Sequence, residues 1–173
     1  HQHLLRSMDA LMERQSDVDA VVAGLLRPLI DQDLSVVFYD MTTIRAEGLS
    51  VQDDDIRKYG MAKEGLIARQ VMLGVVQTGD GLPIYHEVFA GNTAESPTLL
   101  PTIRTVLERF PSIRRVVLVA DRGLLSLDNL DALSAIQLTS GEPLEFVLAV
   151  PGRRYSEFVD RLRPFHEQQC AAA

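Results

Sequence analysis

The sequence predicts an α/β domain: a mixed sheet flanked by helices, preceded by an N-terminal helical segment. Three observations carry that reading. Apolar residues recur at helix spacing up to about residue 30 and then change to short β-rich runs. Two of those runs flank Gly79-Asp80-Gly81, a hairpin signal that makes the start of the sheet antiparallel. Beyond the hairpin, amphipathic helices alternate with short apolar strands, the order of a sheet with helices on its faces.

Each element has its own justification. Leu4, Leu5, Met8, Leu11 and Met12 recur at helix spacing, as do Val18, Val21, Val22, Leu25 and Leu26. Ser16 with Asp19 marks a fresh helix start between them, and Pro28 is expected to close the second helix. Leu34 to Tyr39 predicts a buried strand ending at Asp40. Residues 45–68 are polar and irregular and predict a loop, with Asp53-Asp54-Asp55 as a solvated run because it lacks the glycine and terminal glutamate of a calcium loop. Gln70 to Gln77 and Pro83 to Phe89 are the two hairpin strands. Ser96-Pro97 supplies a helix cap and a first-turn proline ahead of the apolar face Leu99, Leu100, Ile103, Val106, Leu107 and Phe110. Val116 to Ala120 is a strand that stops at Asp121, Ser126 caps a helix bearing Leu127, Leu130, Leu133 and Ile136, Phe146 to Val150 is a last strand, and Ser156 to Leu162 is a short helix. Three antiparallel strands followed by α, β, α, β match the ribonuclease-H-like order. The expected division is 1–30 for the helical segment and 31–173 for the sheet domain.

At 173 residues the chain is long enough for one domain with a substantial core. Apolar residues make up 46%, yet no apolar run approaches the ~20 residues that span a bilayer. This predicts no membrane association, and with no visible signal peptide, a cytoplasmic protein. The lone Cys170 excludes an internal disulfide and a cysteine-rich zinc site. A net charge of −7 argues against a stand-alone duplex-binding module, but not against a nuclease core, whose carboxylates hold cations that face phosphates. Without a starting Met, the chain reads as part of a longer protein.

The candidate chemistry lies at two strand ends. Asp40 and Asp121 each follow an apolar strand, and two such carboxylates on neighbouring strands can chelate Mg²⁺ together with substrate phosphate. Paired ions ~3.5–4 Å apart activate an attacking oxygen and stabilise a leaving one. Spacing alone leaves a second reading open, because aspartate after a strand is also a common turn or cap residue.

The local words go further. Phe38-Tyr39-Asp40-Met41-Thr42-Thr43-Ile44 resembles the first-aspartate motif of bacterial insertion-sequence transposases of the Asp-Asp-Glu type. Gly79-Asp80-Gly81-Leu82-Pro83-Ile84, followed by Glu87-Val88-Phe89-Ala90-Gly91-Asn92-Thr93, is similar to their hairpin and its Gly-Asn-Thr turn. Val119-Ala120-Asp121-Arg122-Gly123-Leu124-Leu125-Ser126 resembles their second-aspartate motif. The three words come in the family's order, and the likeness runs from about Leu34 to Arg154. The resemblance implies a ribonuclease-H-like catalytic core, Mg²⁺ or Mn²⁺ as cofactor, and DNA as partner, both transposon ends and target. It further implies cleavage followed by strand transfer, a homodimer in the full synaptic complex, and Asp40 and Asp121 as the first two catalytic and metal-binding carboxylates.

One departure matters. The family's third carboxylate lies on a later helix in the spacing Tyr-x2-Arg-x3-Glu-x6-Lys, and no tyrosine here has arginine three residues on. That helix is expected beyond the end of the chain, and the fragment alone is expected to be inactive; Glu157 and Glu167 are the stand-ins inside it. Lys58, Lys63, Arg69, Arg122, Arg153 and Arg154 are candidate phosphate contacts, with solvated surface charge as the alternative for each. His1, His3 and His86 have no ligand spacing, and Gly79-Asp80-Gly81 opens no helix and so is not a phosphate loop. Two other functions fit the same residues: a ribonuclease-H-like nuclease without strand transfer, and a non-catalytic remnant.

Overall fold

The computed structural model describes residues 1–33, 36–48, 54–62, 65–113 and 115–171. Two helices, α1 (Gln2–Glu13) and α2 (Gln15–Asp33), lead into strands β1 (Val36–Arg45), β2 (Lys58–Met61), β3 (Ile67–Thr78) and β4 (Pro83–Ala90). Then follow α3 (Leu99–Arg109), β5 (Val117–Ala120), α4 (Leu127–Ser134), β6 (Glu145–Leu148) and α5 (Tyr155–Ala171). The six strands form one sheet in the order β2-β3-β1-β5-β6, with β4 also on β3. β1 runs antiparallel to β3 and parallel to β5, and β6 runs parallel to β5. This is the ribonuclease-H-like arrangement, an α/β mixed sheet flanked by helices. Leu34, Ser35, Asp53, Lys63 and Arg114 lie outside the described residues.

Strand alternation decides what faces what. In β1, Val37, Tyr39 and Met41 are buried while Phe38 and Asp40 are exposed. The buried set meets Met72 and Val76 of β3, Leu118 and Ala120 of β5, and Leu99, Ile103, Val106 and Phe110 of α3. Ala23 of α2 and Leu133 of α4 complete that core, so the N-terminal helices reach it through α2. An ion pair between Asp19 and Arg109 at 3.1 Å ties α2 to α3, and Arg109 also lies 5.1 Å from the centroid of the Tyr85 ring. Each large apolar side chain so buried contributes about 1.5–3 kcal/mol relative to exposure.

Several expectations are corrected. Pro28 does not close α2, which runs on to Asp33. A proline inside a helix loses its bond to the residue four before it, and here both Pro28 and that residue, Gly24, are exposed, where water can serve the carbonyl. Pro164 sits within α5 in the same way, also exposed, so that helix extends well past Leu162. The stretch 45–68 is not all loop, since β2 pairs with the first residues of β3. Nor is Asp55 solvated. Its side chain is 8% exposed and accepts from Arg69 at 2.6 Å and from Arg57 at 2.8 Å. Ser96 makes no capping bond to the helix. A short 3-10 turn, Ser96–Thr98, precedes α3, and the Thr98 hydroxyl donates to the Glu95 carbonyl at 2.7 Å. Ser126 does cap α4, accepting from the Asn129 amide at 3.0 Å.

Gly91 owes its identity to crowding. A side chain there would drive into the backbone of Gln70 and Lys58. The turn is held from both sides, because the Gly91 amide donates to the Ile56 carbonyl and the Gln70 amide group donates to the Gly91 carbonyl, each at 2.9 Å.

Candidate active site

Asp40 does not end its strand. β1 continues to Arg45 because β3 stays paired with it as far as Gln70, and Met41 is buried beneath. What ends near Asp40 is its other neighbour. The parallel register runs from Val36 opposite Val117 to Tyr39 opposite Ala120, and β5 stops there. One step further in the same register brings Asp40 beside Asp121. Tyr39 and Ala120 point into the core. Alternation therefore places both aspartates on the opposite face, at the carboxyl end of the parallel strands, where α/β sheets bind ligands.

The local backbone holds each carboxylate. Asp121 keeps extended geometry (φ −72°, ψ 164°) before a 3-10 turn, Arg122–Leu124, and its Oδ1 accepts from the Arg122 amide at 2.6 Å. Asp40 Oδ1 accepts from the Met41 amide at 2.8 Å. Both residues are exposed. Beside Asp121, a surface depression is lined by Glu95, Arg122, Gly123, Pro151, Gly152 and Arg153. The ends of β5 and β6 thus converge with the residue that precedes the Ser96–Thr98 turn.

The basic candidates separate by location. Arg122 and Arg153 are exposed and line the depression with Asp121. Arg154 is engaged elsewhere: it pairs with Glu157 at 2.8 Å, donates to the Leu125 carbonyl at 2.8 Å, and lies 5.6 Å from the Phe158 ring centroid. Arg69 is only 13% exposed, and besides Asp55 it donates to the carbonyls of Gly48 (2.9 Å) and Arg57 (3.1 Å). Lys58 is half-buried in β2 opposite Gln70. Of the two stand-in carboxylates, Glu157 is held by Arg154, whose hydrogen bond lowers its pKa below the ordinary glutamate value, and Glu167 is an exposed residue of α5. Neither lines the depression.

Sequence reasoning missed Glu95. It stands just ahead of the Ser96-Pro97 helix start, and no spacing ties it to Asp121. Only the fold brings the two into one depression. Among the described residues no group of three or more His, Cys, Asp or Glu is arranged to hold a metal ion. Asp40 and Asp121 therefore offer a partial set of oxygen donors, of the kind a hard divalent cation takes.

Among curated proteins none matches the chain. Solved structures similar to it include the pre-cleavage Mos1 transpososome, at 16% identity over 80% of this chain and 44% of that one, with a TM-score of 0.42. Another is the Mos1 mariner paired-end complex with Mn, at 15% identity over 93% of this chain and 56% of that one, with a TM-score of 0.38. The chain thus spans about half the length of these proteins. The profile of the Transposase DDE domain matches residues 31–167, most of the chain and both aspartates. The chain belongs to the DDE transposase domain family.

Proposed function

We propose that this chain supplies the first two carboxylates of a transposase active site that cleaves transposon-end phosphodiesters and joins the ends to target DNA. The observation that carries the proposal is the β1–β5 register, paired as far as Tyr39 and Ala120; carried one residue further, it brings Asp40 and Asp121 together on one face of the sheet. Family membership makes metal-dependent phosphoryl transfer the general chemistry. When bound, Mg²⁺ or Mn²⁺ supplies charge neutralisation at the phosphate and activation of the attacking oxygen. The chain's own residues do the rest. Asp40 and Asp121 present oxygen ligands from rigid backbone, each with one oxygen already oriented by the next residue's amide. Arg122 and Arg153 bring positive charge to the same depression and are the phosphate contacts we favour. Lys58 and Lys63 remain candidates; Arg69 and Arg154 already spend their guanidinium groups within the protein.

The donor set fits the cation in kind but falls short in number. We place the third carboxylate in a segment outside this chain, and expect the fragment alone not to cut DNA. The partner in this reading is DNA, bound by two copies of the full protein, one at each transposon end. No described helix is long and apolar enough to cross a membrane; we place the protein's action on DNA in the cytoplasm.

The test is titration calorimetry with Mn²⁺ on the wild-type chain, Asp40→Asn and Asp121→Asn. Two aspartates give a weak site, and losing either should weaken it further. Equal affinity in all three proteins would place the cation elsewhere and overturn the proposal.

A further inference from the structure

We propose that Glu95 is a positioning residue: its carboxylate, seated against Gly123, fixes the turn that carries Asp121 in its ligand-presenting form. The inference rests on the reading of Asp40 and Asp121 as metal ligands.

The first observation is the glycine. Positive φ accounts for Gly48, Gly65, Gly81 and Gly141, but not for Gly123. Backbone conformation therefore does not require glycine at 123; instead the tip of the Glu95 side chain occupies the space a Cβ would take. A Cβ built there would overlap Glu95 Oε2, and the next nearest atoms are also from that carboxyl group, Cδ at 3.1 Å and Oε1 at 3.9 Å. A carboxylate, rather than an apolar side chain, fills the place where residue 123 would carry its own.

The second observation is that both sides of this contact are anchored. Below Glu95, the Thr98 hydroxyl donates to the Glu95 carbonyl at 2.7 Å and lies 2.8 Å from the Tyr39 hydroxyl, on the residue before Asp40. Across the contact, the Asn129 side chain donates to the carbonyls of Ser96 and Leu124, each at 2.8 Å. Asn129 is 4% exposed and bridges the residue after Glu95 to the last residue of the Asp121 turn. Two loops from distant parts of the sequence are thus locked together, with the Glu95 carboxylate wedged at the middle of the Asp121 turn. Changing a group that orients a metal ligand typically costs about 10–100-fold in affinity.

Mn²⁺ binding and amide hydrogen exchange, measured on the same variants, test this. Glu95→Ala and Gly123→Ala should each weaken Mn²⁺ binding by about tenfold or more. Both should speed exchange at the Arg122 and Leu124 amides without metal. The Glu95→Ala/Gly123→Ala double variant should bind no more weakly than Glu95→Ala, because the new methyl enters space already vacated. Glu95→Gln keeps the shape and should keep most of the affinity. Unchanged exchange and affinity in the single variants, losses that multiply in the double variant, or a Glu95→Gln variant as weak as Glu95→Ala would each overturn the proposal. Should the wild-type chain bind no Mn²⁺ at all, the metal reading of Asp40 and Asp121 fails. Exchange rates then still decide whether Glu95 holds the turn.

Discussion

Replacing Asp55 by asparagine should destabilise this domain more than any change to an exposed ion pair. The carboxylate is 8% exposed, and Arg69, its closer partner at 2.6 Å, is 13% exposed. Asparagine keeps the shape and one acceptor oxygen but removes the charge, leaving a guanidinium shut away from water. Breaking a buried pair from one side costs about 3–5 kcal/mol. Arg69 retains its bonds to the carbonyls of Gly48 and Arg57, so the cost falls at or just below the bottom of that range, about 2–3 kcal/mol. For a domain of this size that is a fall in Tm of roughly 5–10 °C. The assay is thermal unfolding followed by circular dichroism at neutral pH, in low and high salt. Because the pair is buried, the loss should persist at high salt. Asp160→Asn supplies the control: its bridge to Arg163 leaves the carboxylate 89% exposed, and its Tm should match wild type. An Asp55→Asn variant that melts with the wild-type protein would refute the reasoning, since it would mean that Arg69 is solvated and available to other partners.

Two further perturbations follow from the site and its surroundings. Burial raises the Tyr39 pKa above its ordinary 10.0, against the lowering effect of its bond to Thr98. Its neutral form is therefore favoured in the folded state, and stability is full below pH 10 and falls as pH rises toward the folded value. Tyr39→Phe should cost about 1 kcal/mol at neutral pH, for one hydrogen bond, and should flatten the alkaline fall in Tm; an unchanged alkaline profile would contradict this. DNA binding by the chain should be weak and steeply salt-dependent given the net charge of −7. Losing Arg122 and Arg153 together should lower the slope of log K against log salt by about two, and an unchanged slope in a filter-binding titration would remove them from the phosphate path.

Much of this architecture is legible in the sequence because single residues carry strong local signals. Gly79-Asp80-Gly81 sets the hairpin, Ser126 caps its helix, and the apolar run before Asp121 marks a strand that does stop there. The departures have a common cause. A strand read as ending at Asp40 continues instead through Thr42, Ile44 and Arg45, because the long partner β3 keeps that segment in the sheet. The four residues of β2 are too few to show a period, and they become a strand only because β3 offers its edge. Asp55 looks solvated because its partner Arg69 lies 14 residues away across a turn that local patterns do not reveal. Glu95 is invisible for the same reason on a larger scale, since nothing in a linear reading relates it to Gly123. Proline misleads in the opposite direction: Pro28 and Pro164 signal helix ends, but on exposed faces their cost is small enough for the helices to pass through.

The alternation in β1 separates folding from chemistry in one strand. Val37, Tyr39 and Met41 build the core, while Asp40, between two of them, shares none of their burial. A conservative change at Asp40 therefore removes its charge without opening a cavity, so Mn²⁺ binding lost at unchanged Tm would be assigned to the proposed metal site. The same does not hold one residue away. Tyr39 is 1% exposed and joined through Thr98 to the Glu95 loop, so a change there disturbs core and site together. Register is the shared dependency. A one-residue slip of β1 against β3 and β5 would turn Asp40 into the core and Tyr39 out of it, burying an uncompensated carboxylate among Leu118, Leu99 and Val76. The cost of that slip protects the β1–β5 register: the residues that make the sheet stable also fix Asp40, next after the last paired residue Tyr39, at the end of β5 where Asp121 follows.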